Sequence, residues 1–417
     1  MNLFFAVILG AVLTDWALGV VADMLNLRSL KNEPPRALQG LYDTTGYRNS
    51  QEYLRQTTYF GFVSGTFQLL LTLAFWFLGG FNVLDQLIRS WGLHTIVTGL
   101  LYIGLLGAGY MVVMLPFSAY AVFSIEQRFG FNRMTPAVFV ADRLKGLGLS
   151  VLIGAPLLAG VQAVFLYGGT LAWLYCWAGV AAVSLFIQFI APTWIMPMFN
   201  KFEPLGTGDL REAIMGYADK VGYRVEDVFI MDGSKRSTKS NAFFTGFGRS
   251  RRIVLFDTLV AAHTVPELVA VLAHEIGHYK KKHVLQGAVL GVLHTGILFF
   301  LLAFFMKSPG LYEAFGLQQQ SVYAGLLFFG LLYTPVELLL SMGLQALSRR
   351  NEYEADRFAT MTVEDPKNLE EALKKLSVKN LSNLSPHPFY VLLNYSHPPL
   401  LQRIEAIQRA SGRTGGA

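Results

Sequence analysis

The chain has 417 residues, of which 53% are hydrophobic and only 15% charged, with 32 phenylalanines and a formal net charge of +6. Soluble domains carry roughly a quarter charged residues, and a soluble core of this size could not hide so much apolar surface, so a secreted or cytosolic enzyme is excluded in favour of an integral membrane protein with a soluble part. The single cysteine, Cys176, excludes an intramolecular disulfide and a cysteine-cluster metal site.

A membrane-crossing helix needs about 20 mostly apolar residues. Residues 2–25 supply the first, interrupted only by Asp15 and Asp23. No basic residue precedes this run and no small-residue cleavage pattern stands out, so it reads as an uncleaved span. Residues 59–80 give the second span and residues 90–124 the third. Residues 146–200 hold no charged residue and are long enough for two spans, with Gly168-Gly169 as the turn between them. Residues 284–306 and 321–347 supply the sixth and seventh. The division of the chain is therefore 1–199 (five spans with loops 25–58 and 120–146), 200–283 (soluble), 284–347 (two spans) and 348–417 (soluble). Seven spans place both soluble segments and both long loops on one side. Of the 34 Lys and Arg residues, only Arg89 and Lys307 fall in loops of the other side. The positive-inside rule makes the basic side cytoplasmic, which accounts for the net charge without nucleic acid.

Within the first soluble segment, Asn241-Ala242-Phe243-Phe244-Thr245-Gly246 and Arg252 to Asp257 are two extended runs around a Gly- and Arg-rich turn, the pattern of a β-hairpin. Proteases hold peptides by adding them to a sheet edge, so Asn241, Ala242 and Phe243 are candidate substrate-binding residues. Thr264-Val265-Pro266-Glu267 predicts a capping box with proline in the first turn. The helix it opens carries His274-Glu275-Ile276-Gly277-His278. Histidines at i and i+4 share one helix face and can grip a single zinc ion. The intervening glutamate can reach a water at that metal and take its proton.

A catalytic zinc takes three protein ligands. With no cysteine cluster available, the third is sought among His, Asp and Glu. Just after the seventh span, Glu352 and Asp356 recur at i and i+4. Glu352 is the candidate third ligand, and Asp356 the candidate acceptor for the outer nitrogen of a ligand histidine. Glu354 is predicted to point to another face and to be surface. The 74 positions between His278 and Glu352 hold the membrane hairpin of the sixth and seventh spans, which leaves and returns, so the metal is expected close to the cytoplasmic membrane surface. Near the C-terminus, His397 and Arg403 are candidate donors to the oxyanion formed when water attacks a carbonyl. Asp15, His294 and Glu337 are polar groups inside spans, expected to face a polar interior rather than lipid, either lining a water-filled cavity or snorkelling or pairing between spans.

Taken together, these motifs resemble the membrane-integrated zinc endopeptidases typified by CAAX prenyl protease type I. The resemblance rests on seven spans, His274-Glu275-x-x-His278, Glu352-x-x-x-Asp356, Asn241-Ala242-Phe243 and His397-Pro398-Pro399 with Arg403, and it covers nearly the whole chain. It implies an all-α multi-pass fold in which the spans form a helical barrel around a chamber, with a mainly helical protease part carrying a small β-hairpin or sheet. It also implies one Zn²⁺ per chain, Glu275 as base, Asn241 and His397 as substrate contacts, and peptide or protein substrates, C-terminally prenylated ones among them. The lack of an evident retrieval signal favours a bacterial inner membrane working in membrane-protein quality control; a eukaryotic chain would sit in the endoplasmic reticulum. The oligomeric state is left open. The rival from another class is a multi-pass transporter or channel with a regulatory metal site, which would show broken spans related by internal symmetry; no such pairing is found.

Overall fold

The computed structural model describes residues 2–35, 38, 40, 43–225, 227–245 and 252–413. Among these residues, seven helices are long and apolar enough to cross a membrane. The first is α1 (Leu3–Arg28) and the second is α2 (Thr44–Phe77), followed by the short α3 (Gly80–Arg89). The third is α4 (Thr95–Tyr120), continued to Glu126 by a wider turn. The fourth joins α5 (Pro136–Leu149) to α6 (Ala155–Tyr167), and the fifth is built on α7 (Ala172–Ile190). The expected turn lies between α6 and α7, where Gly169 takes φ +64°, a left-handed conformation open to glycine.

The soluble segments follow a different pattern. Strand β1 (Phe202–Pro204), helix α8 (Asp209–Lys220) and strands β2 (Asp227–Met231), β3 (Ala242–Thr245) and β4 (Arg252–Phe256) lead through α9 (Asp257–Val260) into α10 (Val265–Lys280). The sixth span is α11 (His283–Phe305), followed by the short α12 (Pro309–Glu313). The seventh lies in α13 (Val322–Thr362), a single helix of 41 residues that carries Pro335 without breaking and runs on through Glu352 and Asp356. Helices α14 (Lys367–Lys379), α15 (Pro388–Asn394) and α16 (Leu400–Ala410) complete the chain.

Each span packs on the next in chain order, and α13 packs back on α1, so the spans close a ring. The ring is filled at one end only. Trp76, Phe81, Tyr102, Phe315, Tyr323 and Phe328 pack into an apolar plug there, and the Asp85 carboxylate, buried within it, accepts hydrogen bonds from the Tyr323 hydroxyl (2.5 Å) and Arg89 Nε (2.8 Å). The buried residues of α4, α7 and α11 lie at that same end: Thr98, Gly99 and Tyr102 in α4, Ala172 and Cys176 in α7, Phe299 and Leu302 in α11, whereas α1 is also buried at Ala22 and Asn26, where Asn26 accepts from Asn383 and His387 of the soluble part. A close-packed interior would bury side chains along the whole length of each helix. Along these three helices the half nearer the soluble domain is therefore not packed into a core, and a cavity lined by Gln188, Leu285, Gly291 and Leu344 lies there. Asp15 of α1 follows the same pattern. It lies two turns from both Ile8 and Ala22, on the buried face of α1, yet it is exposed. His294 and Glu337 pair across α11 and α13 at 2.9 Å.

The sheet has strand order β1-β2-β4-β3. The expected hairpin is present as antiparallel β3 and β4, with Ala242 opposite Leu255 and Thr245 opposite Arg252; its turn, with Gly246, lies outside the described residues. The sequence reading did not include β1 and β2, and β2 pairs with β4 in parallel, Val228 opposite Ile253. No strand covers the outer edge of β3 among the described residues. Residues from both soluble segments share one core, in which Ile214, Val228, Ile253, Leu268 and Ile276 meet Ala359, Leu369 and Ile407. Two ion pairs tie this domain to the spans. Arg236 donates to both oxygens of Asp142 at 2.7 and 2.9 Å, and Lys239 donates to Glu126 at 3.1 Å and to the Tyr53 hydroxyl at 2.9 Å.

Candidate metal centre

The helix that carries the two histidines begins as its sequence predicts. The Thr264 amide donates to Glu267 Oε2 at 2.9 Å in a complete capping box, and Pro266 sits in the first turn. Glu267 also accepts from Lys375 Nζ at 2.8 Å, which pins the start of α10 to α14. Most of α10 is buried, so the direction of its one polar stripe is fixed by packing.

That stripe meets α13. His274 Nε2 lies 3.1 Å from His278 Nε2 and 3.4 Å from Glu352 Oε2, and His278 Nε2 lies 3.2 Å from Glu352 Oε1. Two helices approach this closely because Gly277, between the histidines, has no side chain. A Cβ there would come within 3.0 Å of Ala355 Cα and 3.1 Å of its carbonyl oxygen. The spacing suits a metal. Ligand bonds of about 2.1 Å in a tetrahedron give edges of about 3.4 Å, close to the three distances observed. The donor set is imidazole and carboxylate, and Glu352 Oε2 is buried without a hydrogen-bond partner among the described residues. A buried carboxylate oxygen needs a partner, and a cation among these atoms would supply one.

Asp356, one turn after Glu352, accepts from His274 Nδ1 at 2.8 Å. This leaves the Nε2 lone pair of His274 aimed at the cluster. Burial opposes charge on the His274 ring, yet before any cation binds the Asp356 and Glu352 carboxylates beside it raise its pKa to about 9; a cation at Nε2 would take the place of that proton. Arg403 is buried behind the carboxylates. Its Nε donates to Asp356 Oδ2 at 2.8 Å and its Nη2 to Oδ1 at 2.6 Å, while Nη1 stands 3.5 Å from Glu352 Oε2. The guanidinium expected to face a reacting carbonyl is thus engaged by the ligand-side carboxylates. His397, by contrast, remains 63% exposed with its Nε2 3.3 Å from Glu352 Oε1.

A cavity of about 1120 Å³ opens beside the cluster. Glu275, His278 and Phe243 line it together with Leu285, Leu344 and Leu347 from the sixth and seventh spans. Burial pushes the Glu275 carboxyl above its ordinary range. Of the three predicted hairpin residues, Phe243 reaches this cavity; Asn241 and Ala242 are not among the residues that line it. The Asn241 side chain accepts from the Ala242 amide at 2.9 Å. Strand β3 packs against α10.

Two contacts near the cluster escaped the sequence reading. His283 Nδ1 lies 3.0 Å from His278 Nδ1, and His283 Nε2 lies 3.4 Å from Glu354 Oε2. Glu354 is therefore not only surface: its carboxylate holds a histidine that holds a histidine of the cluster.

Comparison with known proteins extends this geometry to the whole chain. Residues 23–201 match the family model for the CAAX prenyl protease N-terminal region of five membrane helices, and residues 204–411 match peptidase family M48. The CAAX prenyl protease 1 homolog of Arabidopsis thaliana is 34% identical over 99% of both chains. The CAAX prenyl protease 1 of Saccharomyces cerevisiae is 34% identical over 90% of this chain and 89% of its own. The crystal structure of Ste24p from S. mikatae superposes with a TM-score of 0.93, at 32% identity, over 98% of this chain and 99% of that one. A chain matched end to end by these proteins, with a His-Glu-x-x-His helix set against the Glu352 carboxylate beside a membrane cavity, belongs to the CAAX prenyl protease group of peptidase family M48 and is an integral-membrane metallopeptidase.

Proposed function

We propose that the chain is a zinc-dependent endopeptidase, with His274, His278 and Glu352 as the metal ligands and Asp356 orienting His274. The observation that carries this is the convergence of the two Nε2 atoms and the Glu352 carboxylate at spacings of 3.1–3.4 Å. Zinc held there would act as a Lewis acid toward water and a substrate carbonyl.

The remaining roles belong to the protein. Glu275 takes a proton from the attacking water and returns it to the amine nitrogen as the C–N bond breaks. Its position in the cavity wall beside His278 supports this, as does the raised affinity of its carboxyl for a proton. His397, exposed at the cluster, donates to the carbonyl oxygen as charge develops. Arg403 acts through Asp356 and Glu352, neutralising the two buried carboxylates. The substrate backbone adds to the open edge of β3, with Asn241, Ala242 and Phe243 as its contacts.

The metal centre faces the cytoplasm, a reading supported by the loop charges. Substrates include C-terminally prenylated peptides. The apolar walls contributed by Leu285, Leu344 and Leu347 suit a hydrocarbon chain lying beside the scissile bond, and the relatives' names carry the same chemistry. A farnesylated peptide incubated with the full-length protein should be cleaved, chelator should stop the cleavage and added zinc should restore it. Cleavage undiminished by chelator would refute the metal's part.

A further inference from the structure

We infer that His283 is a positioning residue for the metal centre: it holds the outer nitrogen of His278 and is itself held by Glu354, a relay separate from that of Asp356 on His274. This inference rests on the zinc reading above.

The argument begins with the protons. Two imidazole nitrogens 3.0 Å apart, His278 Nδ1 and His283 Nδ1, hydrogen-bond only if one carries a proton and the other a lone pair. His278 needs its Nε2 lone pair for the cluster, so its proton is on Nδ1 and that nitrogen donates. His283 Nδ1 accepts, which leaves the His283 proton on Nε2. That nitrogen faces Glu354 Oε2 at 3.4 Å, and the other oxygen of Glu354 accepts from Arg350 Nε at 3.2 Å. One tautomer of each ring satisfies the whole chain. The His283 side chain is only 7% exposed, whereas Glu354 is 39% exposed, so the relay runs from the metal cluster outward to water.

The backbone is shaped for this contact. Five residues along an unbroken helix turn through about 140° beyond a full circle, which would carry His283 away from His278. Instead Lys282 takes φ 61° and ψ 27°, a left-handed conformation uncommon for a residue with a side chain. That single residue ends α10, starts α11 and folds His283 back over His278, with the rings 5.2 Å apart and inclined at 71°. The two cluster histidines are therefore held differently, His274 by an anionic carboxylate and His278 by a neutral ring.

The test is zinc release to a chromophoric chelator from purified full-length protein in detergent, for wild type, His283→Leu, His283→Asn and Glu354→Leu. His283→Leu, which removes the acceptor, should release zinc about 10- to 100-fold faster. His283→Asn, which keeps an acceptor oxygen close to the Nδ1 position, should largely restore the wild-type rate. Glu354→Leu, altered at the half-exposed outer end, should shift release in the same direction by less, and it keeps the test open should His283→Leu fail to fold. Equal rates for His283→Leu and His283→Asn, or for wild type and Glu354→Leu, would overturn the relay while leaving the zinc reading intact. Wild type purified with added zinc and retaining none would overturn both.

Discussion

Glu275 and Asp356 each lie beside His274, one in sequence and one in space, and removing their charges should have opposite consequences. Glu275→Gln keeps the size of the side chain and loses the base, so hydrolysis should fall by about 10²- to 10⁴-fold while zinc content, read by elemental analysis, stays at the wild-type level. Loss of zinc along with activity would reassign Glu275 from base to structure. Asp356→Asn should do the reverse. It removes the anion held by the His274 ring and by two nitrogens of Arg403, so zinc affinity should drop about 10- to 100-fold. It also leaves a buried guanidinium with half its charge pairing gone, at a cost of about 3–5 kcal/mol, so thermal unfolding should come markedly earlier. His274, Glu275, His278, Glu352 and Asp356 could be read from the sequence because i, i+4 spacing repeats on two helices and each pair shares a face. His283 could not, since its i+5 spacing reads as a different face until Lys282 breaks the helix. Glu354 was misread for a related reason: the face it occupies on α13 was correct, but the neighbour on that face comes from α11.

At the scale of elements, the convergence of His274, His278 and Glu352 depends on how closely α10 and α13 approach. Gly277 is the contact point, with Ala355 directly opposite. Gly277→Val should force the helices apart, lengthen the His–Glu spacing and lower zinc occupancy, while Gly287→Val, where a Cβ meets nothing within 4 Å, should not. Zinc retained in Gly277→Val would mean that the approach is not limiting. The sequence announced α10 through its capping box and α13 through its apolar run, but it gave no sign of the role of Gly277, because a close helix contact leaves no periodicity to read. The sheet was legible only in part. Strands β3 and β4 are adjacent in sequence and alternate as a hairpin should, whereas β2 joins them by a parallel pairing across distant residues, and β1 is only three residues long.

Across the whole molecule, the ring of spans is packed into an apolar plug at one end and holds a cavity nearer the other, where His274, His278 and Glu352 converge. The number of spans was legible because charge-free runs are long and their basic flanks segregate to one side. The hollow was expected only from the family resemblance and from the polar groups Asp15, His294 and Glu337, since inward-facing and lipid-facing residues are otherwise both apolar in the sequence. The interior should therefore be reachable from water. With the buried Cys176 replaced by alanine, Asp15→Cys should react with a polar maleimide in reconstituted vesicles, while Leu13→Cys, placed on the outer face, should not. Equal protection of both positions would contradict a water-filled interior.

The central claim is that one zinc ion is held jointly by α10 and α13, and its most direct test is zinc stoichiometry in the purified full-length protein beside the Glu352→Ala variant. Wild type should hold one zinc per chain, and the variant, folded as judged by its thermal transition, should hold close to none. A folded Glu352→Ala protein that keeps its zinc would contradict the shared site.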